Sequence, residues 1–462
     1  MRMPDTMRLP DTMRLPDVLA RGLFEPAWDL YERSCRLKTL SVLRRTQWDT
    51  PETVRARQEQ ALRTMVLHAT GTCAFYRDRF AAAGLDPARV RRLEDLAALP
   101  IVTKDDIRQR QDGMISSLHR KAELRRAKTG GSTGVSLEIY CDEPGIQMRA
   151  AAALRADEWS GWRLGQPLAA VWGNPPVPKS VKSRVRAALK DRIIYLDTMR
   201  IDEPAIERFL AEWDRLRPGL LFGHAHSLFI LAEYLRDRGR RLNPNGVVAT
   251  SMMLLENERR VIEEACGVPV TNRYGCEEVS LIACECERHH GLHLNADHVI
   301  VEFLRDDGSP CAPGEDGRLV VTELINFGMP LIRYELGDRG VPSDRRCPCG
   351  RGLPLMEQVT GRTADFLVAE GGYRVQGISI IENTLTKLPG IRQMQIVQHE
   401  DGRLEVNLVP GPGWGDDVAA ELTTTLRDIL GRGVQLDLRP MERIPQEENG
   451  KYRFTICRVP RH

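Results

Sequence analysis

From Val18 to about Phe80 apolar residues recur at three- and four-residue spacing among many Arg and Glu, which predicts a helical N-terminal region. Gly84 to Thr103 reads as a connector, with Thr103 placed to cap a helix that begins at Lys104. From Ala127 to about Ile282 the pattern changes. Short apolar runs at Pro167–Trp172, Asp191–Leu196, Gly219–Phe222 and Gly246–Ser251 alternate with amphipathic stretches such as Pro204–Leu216 and Ser227–Arg238. That alternation predicts an α/β sheet with covering helices.

After Asp297 the pattern turns to strands. His298–Leu304 and Arg318–Leu324 are joined by turn chemistry at Asp306 to Pro310 and Gly314 to Gly317, a β-rich subdomain. Beyond Gly361 a helix is expected over Ile378–Lys387. A hairpin of Arg392–Gln398 and Arg403–Val409 should turn at Asp401-Gly402, followed by a helix over Asp416–Leu430 and a strand over Val434–Leu438. The chain thus divides into a repetitive arm at 1–17, a large multi-layer α/β domain at 18–361 and a small α+β domain at 362–462. The arm is three copies of Met-Arg-x-Pro-Asp, beginning at Met1, Met7 and Met13. Each carries a proline and no apolar periodicity, so it is expected not to pack. It reads as a functional arm or as a duplicated start region.

Composition narrows the function classes. The 462 residues allow two to four structural units, and 42% hydrophobic with 28% charged residues is a globular balance. Lys and Arg number 66 against 64 Asp and Glu, so bulk charge gives no argument for nucleic-acid binding. The longest apolar window, Leu220 to Ala232, contains His224 and His226 and is well short of the roughly 20 residues a membrane span needs. No secretory signal is readable. The eleven cysteines are odd in number and partly paired in sequence, which suits reduced thiols or metal ligands in a cytoplasmic setting.

Two constellations carry chemistry. Thr129-Gly130-Gly131-Ser132-Thr133-Gly134 can turn tightly with its amides inward, and its hydroxyls suit phosphate oxygens; it lacks the Gly-Lys-Ser/Thr ending of a Walker loop. Cys286, His293, Cys347 and Cys349 form a Cys-x6-His pair and a Cys-x-Cys pair, a donor set for tetrahedral zinc. Cys284, His289 and His290 compete for the same role.

Five segments in fixed order then resemble the adenylate-forming (AMP-forming) ligases. Thr129–Gly134 is similar to their Ser-Ser-Gly-Thr-Thr-Gly loop, Tyr274-Gly-Cys-Glu-Glu278 to Tyr-Gly-x-Thr-Glu, and Tyr334-Glu-Leu-Gly-Asp338 to Tyr-x-x-Gly-Asp. Gly361-Arg362-Thr-Ala-Asp365 resembles their junction segment, and Asn449-Gly-Lys451-Tyr-Arg453 their Gly-Lys loop. The cysteine–histidine pattern resembles the phenylacetate–CoA ligase branch and its capsule-biosynthesis relatives, and favours Cys286 and His293 over their competitors.

The resemblance implies activation of a carboxylic acid by ATP and Mg²⁺ and transfer of the acyl group to CoA. An amine acceptor and a non-catalytic nucleotide-binding protein are the alternatives. It implies that Thr129–Gly134 hold the β- and γ-phosphates and that Glu278, read as lying at a helix start, binds Mg²⁺. Tyr274 would stack on adenine, Asp338 would take the ribose hydroxyls, and Arg362 would reach ribose or phosphate. Lys451 would carry charge to the carboxylate and α-phosphate. The small domain would rotate about a hinge near Asp365. Zinc at Cys286, His293, Cys347 and Cys349 would be structural. The partners expected are a small carboxylic acid and CoA or an amine, with no nucleic acid; a homodimer is compatible.

Four departures stand out. Val135 replaces the usual Lys after the phosphate loop, and Glu277 replaces the Thr before the metal-binding Glu. The adenine loop reads Ser251-Met252-Met253-Leu254, without an acid, and the aromatic gate reads His224-Ala225-His226-Ser227. Those two histidines either line an acyl pocket or cap a helix. Lys179 to Arg192 carries six basic residues and one acid, which suits the 3′-phosphate of CoA, an anionic surface or a solvated helix face.

Overall fold

The computed structural model describes residues 14–128, 137–173, 175–198, 201–362, 366–371, 374–388, 390–445 and 452–459. It opens with a run of helices, Arg36–Thr46, Pro51–Thr72 and Ala74–Ala82 among them. The side chain of Thr103 caps the helix Lys104–Met114 by accepting from the Asp106 amide at 3.2 Å, while the Asp106 carboxylate accepts from the Thr103 amide at 2.8 Å.

A short antiparallel pair, β1 (Arg125–Lys128) and β2 (Glu138–Cys141), precedes the main sheet. That sheet comprises β3 (Leu168–Trp172), β4 (Ile193–Asp197), β5 (Leu220–His224), β6 (Gly246–Thr250), β7 (Val270–Cys276), β8 (Ser280–Glu285), β9 (Leu292–Leu294), β10 (Val299–Leu304), β11 (Gly317–Glu323), β12 (Tyr334–Ser343) and β13 (Leu355–Arg362). Its spatial order is β10-β11-β12-β13-β9-β8-β7-β6-β5-β3-β4. β3 to β7 run parallel, and both faces of that half are covered. Alternation along each strand divides the burial. Leu221, Val247 and Ala249 meet Phe209, Trp213, Leu228 and Ile262 of three helices, whereas Leu220 and Val248 meet Leu40, Leu43 and Ala151 on the other face.

The β-rich region expected as a subdomain after Asp297 is continuous with the parallel half. The three-residue β9 pairs with both β8 and β13, so the antiparallel strands extend the same sheet. The last part has its own core. β14 (Phe366–Val368) pairs with β15 (Arg374–Gln376), and a second sheet has the order β18-β17-β16-β19, formed by β16 (Ile391–Gln398), β17 (Leu404–Pro410), β18 (Leu436–Pro440) and β19 (Thr455–Cys457). Helices Gly377–Lys387 and Asp416–Leu430 pack on it through Ile381, Leu385, Leu422 and Leu426, and Leu255 of the preceding region joins that core. The whole is mixed α/β, as the sequence pattern predicts.

The arm is corrected at its end. Residues 14–17, expected not to pack, dock on the sheet edge: Pro16 lies in the first turn of a helix Leu15–Leu19, where a proline needs no amide partner. Asp17 is buried and pairs with Arg192 at 2.7 Å, and the Arg14 guanidinium donates to the carbonyls of Leu216 and Arg217.

Candidate active site and cysteine–histidine cluster

In parallel α/β sheets ligands bind beyond the carboxyl ends of the strands. Here those ends carry Trp172, His224, Thr250 and Tyr274. The Tyr274 hydroxyl donates to Oδ2 of Asp338 at 2.7 Å, joining the end of β7 to β12. Gly275 follows because a Cβ there would lie 2.5 Å from the Ser280 carbonyl across the hairpin. Gly337, at φ +80, lets β12 present Asp338.

Glu278 is not at a helix start, contrary to expectation. It occupies the tight turn between β7 and β8 and is buried. Sequence reading missed its support. The Tyr334 hydroxyl donates to Oε1 of Glu278 at 3.1 Å, and Arg149, itself paired with buried Glu323 at 2.6 Å, donates to the Glu278 carbonyl at 2.7 Å. Burial and then the Glu278 charge hold the Tyr334 phenol far above its usual value, so it stays a donor. Burial and Glu278 act in the same direction on the Cys276 thiol, which is held neutral. One strand, β12, therefore supplies the partner of Glu278 at Tyr334 and the carboxylate at Asp338.

The two histidines separate in role. His224 stands at the N-cap of Ala225–Asp237 without a side-chain capping bond; its ring lies 4.2 Å from that of Trp172, which stacks on Phe222 at 5.2 Å. His226 is buried, with Nδ1 2.5 Å from Oε1 of Glu258 and its ring edge-on to Tyr452 at 4.4 Å and Phe454 at 5.4 Å. Thr129–Gly134, Val135, Asp365 and Lys451 lie outside the described residues, and Arg362 is described only through its backbone, paired with Asp338.

Cys286, His293, Cys347 and Cys349 come together with ligand atoms all within 4.8 Å of one another. Cys286 Sγ is 3.6 Å from Cys347 Sγ, and Cys349 Sγ is 3.4 Å from Nε2 of His293. A tetrahedron with metal–sulfur bonds of about 2.3 Å has sulfur–sulfur edges of roughly 3.8 Å. The Cys286–Cys347 edge is close to that, and all four donors lie within 4.8 Å, near enough to share one ion. The amides of Arg288 and Arg351 point at Cys286 Sγ and Cys349 Sγ, at 3.5 and 3.4 Å, and Gly350 at φ +87 closes the knuckle. Burial pushes the Cys349 thiol up, but bonds from His293 and Arg351 outweigh it and bring it down to about 6. The competitors fall away: His289 pairs with Glu285 at 3.0 Å, and the cluster excludes Cys284.

The CapK C-terminal domain family matches residues 367–458. Phenylacetate-coenzyme A ligase of Thermus thermophilus is 27% identical over 439 residues, 88% of this chain and 96% of that one. Protein CapK of Staphylococcus aureus is 25% identical over 372 residues, 78% of this chain and 80% of its own. Among solved structures, 2-hydroxyisobutyryl-CoA ligase in the postadenylation state with 2-HIB-AMP aligns at a TM-score of 0.70 with 20% identity, covering 88% of this chain and 89% of that one. This chain is a homologue of the phenylacetate–CoA ligases and of CapK, built on the fold of the adenylate-forming ligases.

Proposed function

We propose that this protein is an AMP-forming acid–thiol ligase. A carboxylate oxygen attacks the α-phosphate of ATP, giving acyl-AMP and pyrophosphate. The thiol of CoA then attacks the acyl carbonyl and AMP leaves with the electron pair of the broken C–O bond. The observation that carries this reading is the pairing of Tyr274 with Asp338 and of Tyr334 with Glu278 at the carboxyl end of the parallel strands. Tyr274 and Asp338 face the adenosine, ring to base and carboxylate to ribose hydroxyls, with Arg362 on ribose or phosphate. Thr129–Gly134 hold the β- and γ-phosphates. Glu278, fixed by Tyr334, holds Mg²⁺, whose charge offsets that of the phosphates. Lys451 brings a point charge to the carboxylate and α-phosphate. The homologues' ligase names and the ligand-bound state of the aligned structure support the assignment.

The small domain at 362–462 is the mobile part, exchanging the Lys451 loop for a thiol-accepting face. Cys286, His293, Cys347 and Cys349 hold a structural zinc, because four protein donors leave no open position for chemistry.

The test is pyrophosphate release from ATP and Mg²⁺ against aryl, fatty and amino acids, each without acceptor, with CoA, and with amines. Release raised by CoA with loss of thiol supports the ligase. Release raised only by amines reassigns the acceptor. Silence from folded, ATP-binding protein across the panel sinks catalysis with those acids. Lys451→Ala should abolish adenylation while ATP binding remains measurable.

A further inference from the structure

Nine of the thirteen large hydrophobic side chains exposed among the described residues fall in two segments, Leu15 to Tyr31 and Val177 to Leu189. Leu15 is 72% exposed, Leu30 81%, Val177 76% and Val181 69%. The segments adjoin. The Lys182 ammonium lies 4.5 Å from the Tyr31 ring centroid, Arg186 pairs with Glu32 at 3.3 Å, and Lys190 reaches Glu25 at 4.0 Å.

The second segment is inside out. Val181, Val185 and Leu189 recur every fourth residue, a stripe along the helix Val181–Arg186 and the π-helical turn Ala187–Asp191 that continues it, and Val177 is exposed in the irregular segment just before it. A helix packing on a core turns such a stripe inward; here it faces solvent, while Lys190 is buried behind it. Lys179 and Arg184 flank the stripe, and Arg21 and Arg33 lie in or just after the first segment. Arg21, Arg33, Lys179 and Arg184 are exposed and form no ion pair among the described residues.

An apolar stripe bordered by uncommitted cations is the pattern of a helix lying in a membrane interface. We propose that this face docks on an anionic lipid bilayer, with the valine–leucine stripe at the headgroup–acyl boundary and the four cations at lipid phosphates. Charge selects this occupant over a second copy of the chain: the acids in and next to the same segments, Asp17, Glu25, Asp29, Glu32 and Asp191, are already paired with arginines, so a second copy offers these cations no free carboxylate. No segment crosses the membrane in this arrangement, since no described helix is long and apolar enough to do so.

The experiment is co-sedimentation of the full chain with vesicles of phosphatidylcholine mixed with phosphatidylglycerol, and of phosphatidylcholine alone. The chain should pellet with the mixed vesicles, stay in solution with the neutral ones and be released by high salt. Lys179→Ala and Arg184→Ala should each lower partitioning by about fivefold. Val181→Asp with Val185→Asp should abolish it while the melting temperature and acid-dependent pyrophosphate release stay unchanged, because both positions are exposed and outside the site. Failure to pellet with anionic vesicles overturns the proposal, as does equal pelleting with neutral ones. A dimer in light scattering that the double variant dissociates would also overturn it and make the face an interface between copies.

Discussion

The imidazole of His226 stands edge-on to the ring of Tyr452 at 4.4 Å while its Nδ1 meets Glu258 at 2.5 Å. His226 and Glu258 belong to the large sheet's covering helices, and Tyr452 is the neighbour of Lys451. The pair therefore seats Tyr452 against the large domain. Phe454 at 5.4 Å from His226, Arg392 near Glu233 at 3.8 Å, and Leu255 and Met253 packed into the second core also cross this boundary.

His226→Ala is expected to slow acid-dependent pyrophosphate release about tenfold, the effect of roughly 1.4 kcal/mol of lost positioning. Thioester formation from supplied acyl-AMP and CoA should change little, since that step does not need the lysine in place. Glu258→Gln keeps an acceptor for the Nδ1 proton of the ring and should stay near wild type. Equal loss in both half-reactions would show that His226 serves the fold alone.

Tyr334→Phe removes the hydroxyl that fixes Glu278 without altering the ring. Stability should fall by about 1 kcal/mol, the net worth of a typical hydrogen bond. The Mg²⁺ concentration for half-maximal pyrophosphate release should rise severalfold, because the carboxylate loses its fixed orientation. An unchanged Mg²⁺ titration would detach Tyr334 from the site and leave it as core.

Much of this arrangement was legible in the sequence, and the parts that were not share a cause. The helix Asp416–Leu430, the turn at Gly402 and the Thr103 cap follow from local patterns, and each is seen as expected. The donor spacing made Cys286, His293, Cys347 and Cys349 legible, and the family resemblance separated Cys286 and His293 from their competitors. Tyr334 on Glu278, Arg149 behind it and Glu258 on His226 join positions 56, 129 and 32 residues apart, and no local pattern encodes such a pairing. Glu278, expected at a helix start, is in a turn. Ser280 at φ +63 closes a hairpin there instead. The last repeat, expected not to pack, begins a helix at Leu15 with Pro16 in its first turn.

The cysteine–histidine cluster gives a prediction by elemental analysis. The purified chain should carry about one zinc per molecule, and Cys347→Ser or Cys349→Ser should lose it together with several degrees of melting temperature. Cys311→Ser, outside the cluster, should keep both. Full zinc occupancy in the cluster variants would assign the metal elsewhere.

His298 supplies a pH dependence whose sign is fixed by its surroundings. Its Nε2 donates to the Val279 carbonyl at 3.0 Å and its Nδ1 accepts from the Asn295 amide at 2.7 Å, so the neutral ring props the turn that carries Glu278. Burial first, then Arg149 and Arg155 nearby, push its pKa down to about 3, with the Val279 bond opposing. In the unfolded chain the same ring titrates near 6.5. Below that pH the unfolded state binds a proton that the folded state does not, so the stability this group contributes is present above 6.5 and falls as pH drops toward 3. The expected slope from this one group is about 1.4 kcal/mol per pH unit in that window. His298→Gln keeps a donor for Val279 without the titration. It should be less stable than the wild type at neutral pH by about 1–3 kcal/mol, from a lost bond in a buried site. Denaturant unfolding from pH 7 to 4 should then show a flatter decline for the variant, the two curves converging as pH falls. Parallel curves would mean that His298 is protonated in the folded protein and that the turn at Glu278 tolerates the charge.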